Sequence, residues 1–374
     1  MATETKRITI IGTGLIGGSL GLAIKAAGLQ GVEIVGHDRE RGNAHRAERI
    51  GAIDRAEHNL PRAVAGAGIV IIATPALAVR EVLGQIAPDV GEGVIVTDTA
   101  STKAQVMRWA QELLPAGASF VGGHPMAGKE SQGIEHADGA LFQGKAYCIC
   151  PAVGASESAV KSIVGLARFV GAEPLFMDPE EHDQLAAAVS HLPLMISAAL
   201  FHLLRSSPSW PDMAPMASSG FRDVTRLASG DPTMSHDIWV TNREAVIHWL
   251  KRLEAELQRF RRLLEDADDK VLLETFTRVQ MERDAFVNSP PRRKPPEPAA
   301  RADAQKALLD MIVGGMVAER MRHIQKLPEV AREASLAKGR SLAERVAKDI
   351  RRDIERLEEK RATEERGPDS SAQR

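Results

Sequence analysis

Short runs rich in Ile and Val recur along the first half of the chain, each followed by a longer stretch of helical pattern. The runs are Ile8–Ile11, Glu33–Gly36, Ile69–Ala73, Val94–Thr97, Phe120–Gly122, Ala146–Cys150 and Pro174–Met177. Between them lie Leu15–Ala27, Ala76–Ile86, Thr102–Leu113 and Ser156–Val170, with apolar residues at helical spacing. β-Branched runs separated by helices predict a parallel sheet covered on its faces, an α/β domain over residues 1–178. After Asp178 the strand signal stops. Pro179–Arg205 reads as a long helix of Ala and Leu, and Asp237 to about Val287 as further helix with charged faces. Residues 179–288 are therefore expected to form an all-α domain.

Beyond it, residues 289–300 are a stiff linker rich in Pro and charge, beginning Ser289-Pro290-Pro291-Arg292. Residues 301–374 form a charged tail in which Leu342, Val346, Ile350, Ile354 and Leu357 recur at helical spacing. This helical C-terminal extension is expected to be a solvated amphipathic helix rather than a partner-binding one, with the end from about Ala362 disordered.

Composition narrows the class. A chain of 374 residues with 44% hydrophobic residues can bury two cores, and aromatics at 4% leave them to Ala, Val, Leu and Ile. A net charge of −2 gives no pull toward nucleic acid or acidic lipid. Cys148 and Cys150 are expected to be small buried hydrophobes without a disulfide, and no metal site is expected. The polar start runs straight into a strand, and the apolar run Ala307–Ala318 is broken by Asp310, so no membrane segment and a cytoplasmic location are expected.

Candidate chemistry begins at Ile10-Ile11-Gly12-Thr13-Gly14-Leu15-Ile16-Gly17, a dinucleotide fingerprint between a strand and a helix. Gly12 permits the tight turn, Gly14 lets backbone approach a pyrophosphate, and Gly17 allows close packing of helix on strand. The first turn, with Leu15 and Ile16, faces the phosphates with free N–H groups. Asp38, at the end of the second strand, suits the ribose hydroxyls of NAD. Arg39 beside it could instead accommodate the extra phosphate of NADP or stack on adenine. NAD is the expected cofactor of this Rossmann domain, and Thr74 and Pro75 are expected to touch it from a second loop at the carboxyl edge.

Gly122-Gly123-His124-Pro125-Met126-Ala127-Gly128 places one histidine in a stretch too rich in Gly and Pro to read as helix or strand. His124 is the candidate proton acceptor. Ser101, in Asp98-Thr99-Ala100-Ser101-Thr102-Lys103, reads as a helix N-cap, as a donor to substrate and to His124, or as both. Glu130 is a carboxylate near the substrate or an ordinary loop acid. In Ser190-His191-Leu192-Pro193 a proline inside a helix frees a backbone carbonyl and bends the axis. Arg222 and Arg226 supply guanidinium forks suited to a carboxylate, with Arg226 the choice for substrate and the other free to pair with Asp223.

In order and context, Gly12–Ser19, Asp98–Lys103, Gly123–Gly128, Ser190–Pro193 and Phe221–Pro232 resemble the prephenate/arogenate dehydrogenase family of tyrosine biosynthesis, from about Arg7 to Val287. The resemblance implies a Rossmann domain joined to an all-helical dimerisation domain, so a homodimer, with the active site in the cleft between them. It implies that NAD takes hydride while prephenate loses carbon dioxide, giving 4-hydroxyphenylpyruvate; arogenate would give tyrosine. It also implies that His124 accepts the hydroxyl proton, Ser101 orients it, Arg226 holds a carboxylate and His191 lines the pocket. Two positions depart: Leu194 and Ser235 stand where the family often has histidine and tryptophan, leaving prephenate against arogenate open. The tail lacks the strand pattern of the family's ββαβ regulatory domain.

Two rivals remain. A β-hydroxyacid dehydrogenase would share the plan but needs a lysine in the helical domain, and none lies between Lys161 and Lys251. A non-catalytic NAD-binding sensor would keep the fingerprint without the chemistry.

Overall fold

The computed structural model describes residues 6–28, 31–129 and 131–291, all within one compact unit. Its centre is a sheet of β1 (Lys6–Ile11), β2 (Val32–His37), β3 (Arg55–Ala56), β4 (Ala67–Ile72), β5 (Ile95–Asp98), β6 (Ser119–Pro125), β7 (Ala146–Pro151) and β8 (Glu173–Phe176). Their spatial order is β3-β2-β1-β4-β5-β6-β7-β8. Every pairing is parallel except β6 with β7, which is antiparallel. The sheet is thus mixed rather than wholly parallel. Ile10, Ile34, Val35, Val70, Ile71, Ile72 and Val96 are buried, as β-branched strands covered on both faces must be.

Helices α1 (Leu15–Ala26), α2 (Arg41–Arg49), α3 (Leu60–Val64), α4 (Ala78–Ile86), α5 (Ala104–Leu113) and α6 (Glu157–Phe169) follow strands of the sheet. The order of strands reverses between β1 and β4. At such a switch point the loops leaving two neighbouring strands diverge and leave a crevice at the carboxyl edge. The Gly12 turn and the Ala73–Pro75 loop border that crevice.

β6 runs beyond its predicted end. Strand pairing with β5 stops at Val121, yet β6 continues through His124 and Pro125 against β7, with His124 opposite Cys148. His124 is therefore in a strand, contrary to the loop expected from its glycines and proline. On the side where β5 has ended, side chains replace the missing ladder. Gly123 N–H donates to Asp98 Oδ1 at 3.2 Å, and Lys103 Nζ donates to the Gly123 carbonyl at 2.7 Å. Cys148 and Cys150 in β7 are free and buried, and burial pushes their thiols up to about 11 and 12.

After the sheet come α7 (Pro179–Ala186), a π-turn at Ala187–His191, α8 (Leu192–Arg205), α9 (Trp210–Met213), α10 (Ser219–Thr225), α11 (Pro232–Thr241), α12 (Arg243–Glu265) and α13 (Asp269–Asn288). The π-turn has a local cause. Pro193 has no N–H for the Val189 carbonyl, so the helix widens just before it instead of breaking. By length and composition Pro179–Arg205, with 27 residues and mean hydropathy 1.7, could cross a bilayer. Its buried stripe, however, carries His182, Asp183 and His191, and Asp183 accepts from the Lys103 N–H at the start of α5. Further ties hold the later helices to the loops that leave β4 and β5: Leu77 N–H donates to Asp237 Oδ2 at 3.0 Å, and Thr102 and Thr241 share a hydroxyl bond of 2.8 Å. Glu130, most of the 289–300 linker and the 301–374 tail lie outside the described residues.

Candidate active site

The glycine turn has the geometry that a dinucleotide needs. Gly12 has φ +92°, and a Cβ there would meet the Ala73 carbonyl oxygen at 2.5 Å, so this turn lies directly against the second loop. A Cβ on Gly17 would overlap the Gly12 carbonyl. A Cβ on Gly14 would meet nothing within 4 Å. Gly14 therefore borders open space at the start of α1, whose N-cap has no side-chain acceptor. Unpaired N–H groups at a helix start facing open space fit a pyrophosphate. Leu15 and Ile16 form the half-buried first turn, and Thr74 and Pro75 border the crevice opposite.

Asp38 is pinned at the end of β2. Its Oδ2 accepts from Thr13 N–H at 2.8 Å and from the Thr13 hydroxyl at 3.1 Å, and its Oδ1 accepts from Glu40 N–H at 2.9 Å. A carboxylate so fixed presents remaining acceptor capacity to the crevice and suits a diol better than a phosphate. Arg39 points outward and sits 4.0 Å from Glu40.

Further along the same edge is a buried polar cluster. Lys103 and Asp98 form a fully buried ion pair. Asp98 Oδ2 also accepts from Ala100 N–H at 2.9 Å. Together the two side chains hold the N–H and the carbonyl of Gly123 and so set the position of His124. The His124 ring meets the His182 ring, Nδ1 to Nε2, at 2.8 Å. His182 Nδ1 in turn meets Asp183 Oδ1 at 2.8 Å. Asp183 also takes the first N–H groups at the start of α5, from Lys103 at 2.7 Å and from Ala104 at 2.9 Å. Burial first, then His182, Lys103 and His191, hold His124 well below the ordinary 6.5, so the ring is neutral.

His191 lies in the π-turn, fully buried. Its Nδ1 meets the Asn242 side-chain amide at 3.2 Å, and that amide also donates to the Asp183 carbonyl at 2.8 Å. Burial lowers His191 to about 4, with Asp183 and the Ser101 carbonyl acting in the opposite sense. The Nε2 has no hydrogen bond of ordinary geometry, although the Ser101 carbonyl is near enough to favour the charged ring.

The sequence-derived residues thus divide. His124, His191 and Ser101 come together at one edge of the sheet. Ser101 is not the N-cap of α5, a place taken by Lys103, and among the described residues the partner of His124 is His182 rather than Ser101. Arg226 lies elsewhere, in a groove of about 430 Å³ with Phe201, Arg222, Thr225, Ala228 and Ser229. One wall of that groove is tied to α8: Ala228 N–H donates to Ser197 Oγ at 3.1 Å, and Ser197 is six residues, about 9 Å of helix, from His191. Leu194 is buried in the helical packing, and Ser235 bonds back to the Asp231 carbonyl at 2.9 Å.

Sequence reasoning missed His182, Asp183, Lys103, Asp98 and Asn242. A signal for two of them was present: His182 with Ala186, and Asp183 with Ala187 and His191, recur at helical spacing, so one buried stripe had to carry polar groups.

The comparisons agree with this geometry. The prephenate dehydrogenase nucleotide-binding domain matches residues 20–175, and the prephenate dehydrogenase dimerization domain matches residues 178–278. Prephenate dehydrogenase of Bacillus subtilis is 34% identical over 294 residues, covering 78% of this chain and 78% of the relative. The solved structure of Aquifex aeolicus prephenate dehydrogenase with hydroxyphenyl propionate and NAD+ is similar, with 28% identity and TM-score 0.71 over 76% of this chain and 100% of that one. Synechocystis arogenate dehydrogenase has 28% identity and TM-score 0.64 over 75% of this chain and 99% of that one. A glycine turn at the switch point, a neutral buried histidine at the same edge and a matched pair of domains lead to one conclusion: the chain belongs to the prephenate dehydrogenase family.

Proposed function

We propose that the protein oxidatively decarboxylates prephenate to 4-hydroxyphenylpyruvate with NAD, a step of tyrosine biosynthesis. The observation that carries this reading is His124: a neutral imidazole beside the cofactor crevice, with Nδ1 engaged by His182. Bound NAD supplies the acceptor for the hydride that leaves the hydroxyl-bearing ring carbon.

The residues of the chain handle the rest. His124 Nε2 takes the hydroxyl proton as the C–O bond gains carbonyl character. The ring carboxylate leaves as carbon dioxide, and the electron pair of the broken C–C bond returns through the ring to that oxygen. The oxygen takes back the proton as a phenol. Aromatisation drives the sequence, so the protein mainly orients groups and manages charge.

Arg226 is assigned to a substrate carboxylate through its planar fork. His191 offers its Nε2–H as a donor, and Ser101 a hydroxyl beside the reacting oxygen. Glu130 is assigned to the substrate approach. Gly12, Gly14, Gly17, Leu15 and Ile16 hold the pyrophosphate, Asp38 the ribose, and Thr74 and Pro75 the nicotinamide side.

Residues 179–288 are proposed as a substrate and dimerisation domain after a nucleotide domain at 1–178, and the enzyme as a cytoplasmic homodimer. Leu257, Leu264, Leu273 and Met281 are exposed on α12 and α13, a long apolar surface suited to a second copy.

Arogenate is the second substrate to test, because the similar solved structures include an arogenate dehydrogenase. The experiment is NADH formation with prephenate and arogenate in parallel. Turnover of prephenate supports the proposal, and turnover of arogenate alone reassigns the substrate. Binding of NAD without turnover of either supports a sensor instead.

A further inference from the structure

We propose that His182, anchored by Asp183, is the positioning residue that decides which nitrogen of His124 is basic. The argument is an accounting of donors and acceptors. Asp183 accepts a backbone N–H on each oxygen, from Lys103 on Oδ1 and from Ala104 on Oδ2. A carboxylate facing a ring nitrogen at 2.8 Å accepts from it, so His182 carries its hydrogen on Nδ1. The lone pair of His182 is then on Nε2, and His124 must donate to it from Nδ1. This leaves the lone pair of His124 on Nε2, the nitrogen free to take a proton. Without an acceptor at His182 Nε2, neither tautomer of His124 would be imposed.

The same framework gives the other buried imidazole the opposite polarity. The Asp183 backbone carbonyl can only accept, so it fixes the Asn242 amide with its nitrogen toward Asp183 and toward His191. His191 Nδ1 therefore accepts, and its hydrogen sits on Nε2. Two neutral rings meet one site, one as acceptor and the other as donor. Residues 182 and 183 are adjacent on α7, whose start is fixed by the Asp178 cap and Pro179, so one helical turn sets both. Asp183 also caps α5, which ties the relay to the edge from which Lys103 holds Gly123.

This inference rests on His124 being the base of the proposed reaction. The test compares two polar replacements that differ by one bond in reach. In His182→Gln the side-chain oxygen reaches the place of Nε2 and can accept from His124. In His182→Asn the amide reaches only the place of Nδ1, meeting Asp183 but not His124. His182→Asn should lower kcat by about 10²–10⁴-fold with KM for prephenate changed less than about threefold. His182→Gln should keep kcat within about tenfold of the parent, and both should melt as cooperative folded proteins. Equal kcat values for the two variants, or a loss confined to KM, would overturn the assignment. A parent enzyme unaffected by His124→Asn would overturn the underlying reading instead, and the two failures are distinguishable.

Discussion

Removing Lys103 should cost far more than removing a lysine from any surface ion pair. Lys103 and Asp98 are both fully buried, and Lys103 Nζ serves Asp98 Oδ2 and the Gly123 carbonyl together. In Lys103→Met the Asp98 carboxylate loses its counter-charge but keeps the N–H groups of Ala100 and Gly123, and the Gly123 carbonyl loses its donor. Breaking a buried pair by deleting one partner costs about 3–5 kcal/mol, a large part of a total stability of about 5–15 kcal/mol. The half-exposed pair Lys25 and Asp54 is the internal reference, since exposed pairs contribute only about 0–1 kcal/mol. At about 2–4 °C per kcal/mol, Lys103→Met should lower Tm by about 6–20 °C, and Lys25→Met by less than about 4 °C. Adding Asp98→Asn to Lys103→Met removes the stranded charge and should recover part of the loss, while kcat stays depressed because Gly123 is still released on one side. Differential scanning calorimetry of the four proteins reads the outcome. Equal Tm losses for Lys103→Met and Lys25→Met would refute the buried-pair argument.

Four further outcomes follow from the geometry. Gly14→Ala should melt like the parent yet raise KM for NAD at least about tenfold, because its Cβ enters only the open space before α1, whereas Gly17→Ala should destabilise the fold itself; thermal melts and NAD titrations separate them. Arg226→Gln should raise KM for substrate by about 10-fold or more with a smaller change in kcat, and an unchanged KM would move the carboxylate anchor elsewhere. The lowered pKa of His124 places the acid limb of kcat/KM below 6.5, and a limb at or above 6.5 would contradict its burial. The unfolded chain binds protons on these histidines from about 6.5, while the folded one resists, with His191 near 4. Stability should therefore fall as pH drops from 6.5 toward 4, seen as a lower Tm at pH 5 than at pH 7.

What the sequence made legible follows from the range of each interaction. Strands of near-continuous Ile and Val announce themselves, as does a turn whose glycines are needed for local reasons at Gly12 and Gly17. Strand β3 has two residues, too few to show a pattern. The extension of β6 to His124 was hidden because nothing local supports it. Gly and Pro read as loop, and the support comes from Asp98 and Lys103, more than 19 residues earlier in the chain. His182 and Asp183 stand in the first turns of a helix that reads as Ala and Leu, where acidic and polar residues are ordinary. Only burial turns them into a relay. Arg226 was legible as a carboxylate fork, but its place in a groove tied to α8 through Ala228 and Ser197, six residues past His191, was not.

The most direct test of the chemistry is steady-state NADH formation by His124→Asn with prephenate at saturating NAD. A fall in kcat of about 10²–10⁴-fold with little change in KM is the result expected of a lost proton acceptor. A kcat close to that of the parent would contradict it.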